Sequence, residues 1–323
     1  MRRRTFIAGL SGVAALPLAA RAQQAMPVIG MIYSGSSDGG AVTLSAFREG
    51  LKETGFVESR NVALEFRFAD NRLDRLAAQA AELVQRPVAV IVGNTLGAKA
   101  AKAATSTIPI VVALSNDLVA DGLVTSYNRP GGNVTGIAFL SAGLGAKRLG
   151  LLRQVVPGAP IVGVLTNPEM ATTIADRNDV QAAAQKLDQR VVMLDVHNAA
   201  DLEPAFAKLM ERGVGALLVG GGPFMFSNRE RVVDLATRSK LPASYALREY
   251  AAAGGLMSYG NSITDAWRQA GAYAGRILKG EKPGDLPVMQ SSKFEFVINL
   301  KAAKALGLEF HPQLLATADE VIE

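Results

Sequence analysis

Apolar residues in this chain come in short unbroken runs, each followed by a stretch in which they recur every three or four positions. Residues 28–33 read VIGMIY, and in 43–53 the side chains Leu44, Phe47 and Leu51 share one helical face. Val62, Leu64, Phe66 and Phe68 alternate as a strand should, ahead of an alanine-rich helical stretch at 73–85. The run VAVIV at 88–92 precedes a helix at 97–104, and IPIVVA at 108–113 closes the first set. After the turn signal Pro130-Gly131-Gly132-Asn133 the alternation restarts. Helices at 145–155, 176–187, 201–212 and 229–239 interleave with strands at 161–165, 191–196, 216–219 and 242–246. The remainder is less regular: a strand at 256–259, a helix at 265–278, a strand at 294–299 and a helix at 300–306.

Strands that are apolar throughout, alternating with helices, predict parallel sheets covered on both faces. Two sets of similar length predict an α/β protein of two doubly wound lobes. The expected division is 23–139 with 255–282 for lobe one and 140–254 with 283–323 for lobe two. Such returns join the lobes by several crossings, an arrangement suited to hinge closure around a ligand.

The N-terminus changes the picture of the whole. Residues 1–22 combine Arg2, Arg3 and Arg4, an apolar stretch from Phe6 to Ala20, and the small-residue site Ala20-Arg21-Ala22. That pattern predicts a cleaved export signal of the twin-arginine type rather than a stable membrane anchor, with a periplasmic mature chain starting at Gln23. The full chain carries 34 Lys and Arg against 29 Asp and Glu, or +5. Four of the arginines lie in the signal, so 30 against 29, or +1, remain. No basic stripe is left for phosphates, which argues against a nucleic-acid partner. Cysteine is absent, which removes disulfides, thiolate metal sites and a lipid-modified cysteine. The core alone must hold the fold, and a monomer is expected.

In open α/β sheets ligands sit outside the carboxyl ends of the strands, so the residues following each strand are the candidates. In lobe one these are Tyr33, Ser34, Asn94, Thr95, Ser115, Asn116 and Asp117; in lobe two, Ser141, Asn167, Glu169, Gly221 and Gly222. Tyr245, Tyr259 and Asn261 lie at later strand ends. Asn94 and Thr95 either cradle a ligand carboxylate or cap the helix after them. Asp117 either faces a ligand ammonium or caps its own turn. The three tyrosines offer a wall for a ring, or core packing. Gly35-Ser36-Ser37-Asp38-Gly39 matches a hydrolase GxSxG pattern around Ser37, but it follows the first strand, and the histidines available are His197 and His311. No GxGxxG follows a strand, and two distant histidines make a poor metal site, so no cofactor is expected.

Six blocks, in order, resemble the ABC-transporter substrate-binding family that includes tryptophan/tyrosine-type binding proteins. They are AFREGLKETGFVESRNVALEFRFAD (46–70), ATSTIPIVVA (104–113), GLVTSYNRPGGNVTGIAF (122–139), KRLGLLRQVVPGAPIVGVLTNP (147–168), GGLMSYG (254–260) and FEFVINLKAAKALGLEFHPQLLATADEVIE (294–323). The resemblance implies a type I periplasmic binding fold, a small-molecule ligand between the lobes, and no catalytic activity. It further implies permease and ATPase partners, and it favours an aromatic or apolar amino acid or related carboxylate. Where the family usually has Asp-Pro-Val, this chain has Asp117-Leu118-Val119. The remaining alternatives are a two-lobed ligand sensor and an exported serine hydrolase using Ser37.

Overall fold

The computed structural model describes residues 26–35, 41–70, 72–115, 117–139, 144–168 and 171–323; the expected export signal lies outside the described residues. The first half runs β1 (Val28–Tyr33), α1 (Ala41–Glu53), β2 (Ala63–Phe68), α2 (Leu76–Val84), β3 (Val88–Asn94), α3 (Thr95–Ala104), β4 (Ile110–Ser115) and β5 (Val134–Phe139). Next come α4 (Leu144–Val155), β6 (Ile161–Thr166), α5 (Ala171–Lys186), β7 (Arg190–Asp195), α6 (Leu202–Glu211) and β8 (Ala216–Val219). Then follow α7 (Pro223–Ser227), α8 (Arg229–Arg238), β9 (Ala243–Tyr245), α9 (Arg248–Ala252) and β10 (Met257–Asn261). The chain ends with α10 (Ile263–Leu278), β11 (Met289–Ser291), β12 (Phe294–Asn299), α11 (Leu300–Leu306), α12 (Pro312–Leu315) and β13 (Glu320–Ile322).

These strands form two sheets, in the orders β11-β5-β4-β3-β1-β2 and β13-β12-β10-β9-β8-β6-β7. The first is parallel throughout. In the second, β12 runs antiparallel to β10 and carries β13 beside it. Both repeat one pattern: the first strand lies between the second and third, and later strands add outward. Each sheet face is covered by its own apolar cluster, as doubly wound winding requires.

The expected two-lobed α/β architecture is present, with two corrections to its segments. The strand at 257–261, expected in lobe one, is the fifth strand of the second sheet, with Met257 opposite Ser244. The segment at 289–291, expected in lobe two, pairs with β5 in the first sheet. The helix between them does return to lobe one: Ile263, Ala266, Trp267, Ala270, Tyr273 and Ala274 form its apolar stripe and join the core around Phe47. The reason is local. β10 continues the βα alternation of the second half, whereas β11 is three residues long with Met289 and Gln290 exposed, too short for any periodicity. Also missing from the hydropathy reading is β5, although all six of its residues are buried. The chain changes sheets between β5 and β6, between β10 and α10, and between β11 and β12. The last two passages lie side by side, with the Ser262 amide donating to the Lys293 carbonyl at 3.0 Å.

Candidate functional site

The strand order reverses between β1 and β3 in one sheet and between β6 and β8 in the other. A crevice opens beyond the carboxyl ends of strands at such points. On the second lobe the glycine turn after β8 lies against the residue following β9 and the first turn of α5. A Cβ on Gly221 would touch the Ala246 methyl at 3.6 Å, and one on Gly222 would lie 3.8 Å from the Thr173 hydroxyl. Gly222 holds φ at +115°, a conformation that favours glycine, just before α7. Four of the predicted positions cannot be placed by side chain: Asn116, Ser141 and Glu169 lie outside the described residues, and Ser115 is described by its backbone alone.

Lobe one's polar candidates are held by the fold itself. Asn94 caps α3, its side-chain carbonyl accepting from the Gly97 amide at 3.2 Å, while its amide group donates to the Ser34 hydroxyl at 2.7 Å. The Thr95 hydroxyl donates to the Leu114 carbonyl. The Ser34–Asn94 pair thus ties the turn after β1 to the start of α3, across the switch point. Asp117 Oδ1 accepts from the Val119 and Ala120 amides at 3.0 and 3.1 Å, and from the Tyr127 hydroxyl at 3.3 Å. Of the two roles open to Asp117, the structure shows the cap. Burial first, and then the Asp117 charge, raise the Tyr127 phenol above its ordinary range. Leu118, in the place of the family's usual proline, is fully buried in the lobe-one core.

On lobe two, Tyr245 is corrected from cleft wall to core. It is 1% exposed and stacked on Tyr250 with centroids 4.9 Å apart, and burial drives its phenol far upward. A strand covered on both faces turns alternate side chains into helix-covered core, and residue 245 is one of those. Tyr259 packs with the opposite core, stacked on Phe294 at 6.1 Å beneath the Lys147 ammonium. Asn167 is buried and donates to the Val196 carbonyl at 2.9 Å. Asn261 is buried at the end of β10, beside Phe294 in register.

Tyr33 packs on the lobe-one core that also receives Phe226 and Leu247. Its ring packs edge-on against Trp267 at 6.0 Å and Phe68 at 6.4 Å, and Gly35 gives it room, since a Cβ there would lie 2.7 Å from the ring. Phe226 and Leu247 each pack against the cores of both lobes, so they stand at the junction. The Arg229 guanidinium lies 5.0 Å over the Phe226 ring. Burial lifts the Tyr33 hydroxyl above the usual phenol range, and Arg229 and Glu249 act on it as opposing charges. Glu249 is partly buried, and burial raises its carboxyl above the ordinary glutamate range despite Arg248 and Arg229 nearby. Phe226, Arg229, Leu247 and Glu249 escaped the sequence reading. The signal was available for two of them, because Leu247 and Glu249 follow the run at 242–246 almost immediately.

Ser37 lies outside the described residues. His311 caps α12, its Nδ1 accepting from the Gln313 amide at 3.3 Å, and His197 is exposed, its amide bonded to Asp201 at 2.8 Å.

Comparison with known proteins agrees with this geometry. The chain is 27% identical over 265 residues to the tyrosine-binding protein of Clostridioides difficile strain R20291, covering 81% of this chain and 76% of that one. Its fold matches a Streptococcus pneumonia ABC domain solved in complex with L-Trp. There the TM-score is 0.80 and the identity 25%, over 91% of this chain and 100% of that one. It also matches the ligand-free, open structure of a Clostridium difficile substrate-binding protein with adhesive properties, with TM-score 0.69 and 25% identity over 92% and 99% of the two chains. The family profile described as ABC transporter substrate binding protein matches residues 29–322. With its two wound sheets and this match along nearly the whole chain, the protein belongs to the ABC transporter substrate-binding protein family.

Proposed function

We propose that this protein captures an aromatic amino acid between its lobes and delivers it to the permease and ATPase of an ABC importer. Delivery without chemical turnover is part of the same reading. So is action in the periplasm, after removal of residues 1–22. The observation that carries the proposal is the inter-lobe wall. Phe226 and Leu247 of lobe two pack against the lobe-one core on which Tyr33 also lies, and Arg229 and Glu249 supply a charge of each sign close enough to act on the Tyr33 hydroxyl. Aromatic and aliphatic surface suits a ring, and a charge of each sign suits the two ends of an amino acid. The relatives whose names or complexes specify tyrosine and tryptophan support that ligand class.

Titration calorimetry of the purified protein tests this directly. L-tryptophan or L-tyrosine should bind with a dissociation constant of about 1 μM or tighter, equivalent to roughly −8 kcal/mol. D-allose and a branched-chain amino acid serve as comparisons. Folded protein that gives no binding to either aromatic amino acid sinks the proposal.

A further inference from the structure

We propose that Glu249 and Arg229 are the two charged contacts of the ligand, Glu249 receiving its ammonium and Arg229 its carboxylate, with Tyr33, Phe226 and Leu247 around its side chain. The proposal rests on the amino-acid reading above and assigns its polar chemistry. It moves the charged contacts off Asp117, whose Oδ1 caps its own turn, and off the Asn94–Thr95 turn, whose side chains cap α3 and tie loops together.

Glu249 stands two residues beyond Leu247, which packs against both lobes. The neighbouring cation does not neutralise it: Arg248 commits two nitrogens to the Glu320 carboxylate, each at 2.6 Å. Among the described residues Glu249 forms no ion pair, and a second acid, Glu295, adds repulsion. A partly buried carboxylate that forms no direct ion pair is costly to keep, and a ligand ammonium would supply one. Arg229 begins α8 directly after α7, which carries Phe226. Its contacts are long ones, 3.3 Å to the Phe226 carbonyl and 3.4 Å to Glu230, and Glu230 is 79% exposed. A shorter bidentate carboxylate can displace them, and a guanidinium flat against a ring is already oriented to receive it. Tyr33 lies within the field of both charges from the opposite lobe. A zwitterion bridging them would therefore lie against lobe one when the lobes are closed.

The test is calorimetry with L-tryptophan, with indole-3-propionate, which lacks the ammonium, and with tryptamine, which lacks the carboxylate. Wild type, Glu249→Gln, Glu249→Asp and Arg229→Gln are compared, each checked for native circular dichroism. Glu249→Gln should weaken L-tryptophan binding by about thirtyfold or more, leave indole-3-propionate unchanged or improved, and lose more affinity than Glu249→Asp. Arg229→Gln should weaken L-tryptophan and indole-3-propionate and spare tryptamine. Retention of L-tryptophan affinity within about threefold in Glu249→Gln, or equal loss of all three compounds, overturns the assignment while the aromatic-ligand reading stands. Wild type that binds no aromatic amino acid overturns both.

Discussion

At Glu249 burial and charge oppose each other, and the balance has a sign that can be measured. The groups facing it are Glu295, which raises its pKa, and Arg248, Arg229 and its own backbone amide, which lower it; burial outweighs them. Its folded-state pKa therefore lies above the unfolded value. As pH rises from the ordinary glutamate range through the folded pKa, the unfolded chain releases its proton first, and the folded state loses stability. That cost is absent well below the ordinary glutamate range and fully present once the pH exceeds the folded-state value. Ligand-free Glu249→Gln should accordingly melt higher than wild type at about pH 8 and at the same temperature at about pH 3.5. Thermal denaturation at the two pH values checks it, and a difference that persists unchanged at the acid end would assign the effect to packing. Asp117 is the contrasting case: an acid at a strand end whose oxygen is already satisfied by two amides.

Among the elements, α1 and α10 show how the sequence fixes a contact between segments far apart in the chain. Gly50 and Gly271 let the two helices approach until backbone meets backbone, and Gly275 leaves room for the Thr54 side chain just past α1. A Cβ on Gly271 would stand 2.1 Å from the Phe47 carbonyl oxygen, and one on Gly50 1.7 Å from that of Arg268. This contact anchors the returning helix to lobe one, and Trp267 of the same helix backs Tyr33. Gly271→Ala should destabilise the protein by about 1–3 kcal/mol through overpacking. Gly150→Ala is the control. That glycine lies in α4 with nothing within 4 Å of the added methyl, so alanine should stabilise it by about 0.5–1 kcal/mol. Urea denaturation of both variants gives the comparison, and an unchanged midpoint for Gly271→Ala would show that the helices can separate freely. The helices themselves are legible as periodic stretches in the sequence, but their pairing is not, because a small residue on a helix face has no hydropathy signature.

For the molecule as a whole, two sheets of one winding order are joined where the chain passes between them, with the second and third passages bonded to each other. Bending a few such residues moves one lobe against the other without disturbing either core. A ligand that touches Tyr33 on one side and Phe226, Arg229 and Glu249 on the other makes its full set of contacts only when the lobes are closed, so it must shift the population toward closure. Small-angle scattering should show a smaller radius of gyration with saturating L-tryptophan than without it. Identical curves for a ligand shown by calorimetry to bind would rule out closure as the response.

What the sequence determined by itself was local. Runs such as VAVIV at 88–92 and ALLV at 216–219 are apolar because each becomes a strand covered on both faces, and that burial is written position by position. The βα alternation, the two-lobed class and the family resemblance followed from it. The tertiary structure decided what depends on where a segment lands. It set β10 in the second sheet and β11 in the first, turned Tyr245 into core, and made Asp117 a cap. It also brought Phe226, Leu247, Arg229 and Glu249 to the lobe that faces Tyr33. Periodicity records whether a residue is buried against its own sheet. It carries no record of which distant segment lies across a cleft, because that contact is made by loops whose residues obey no repeat.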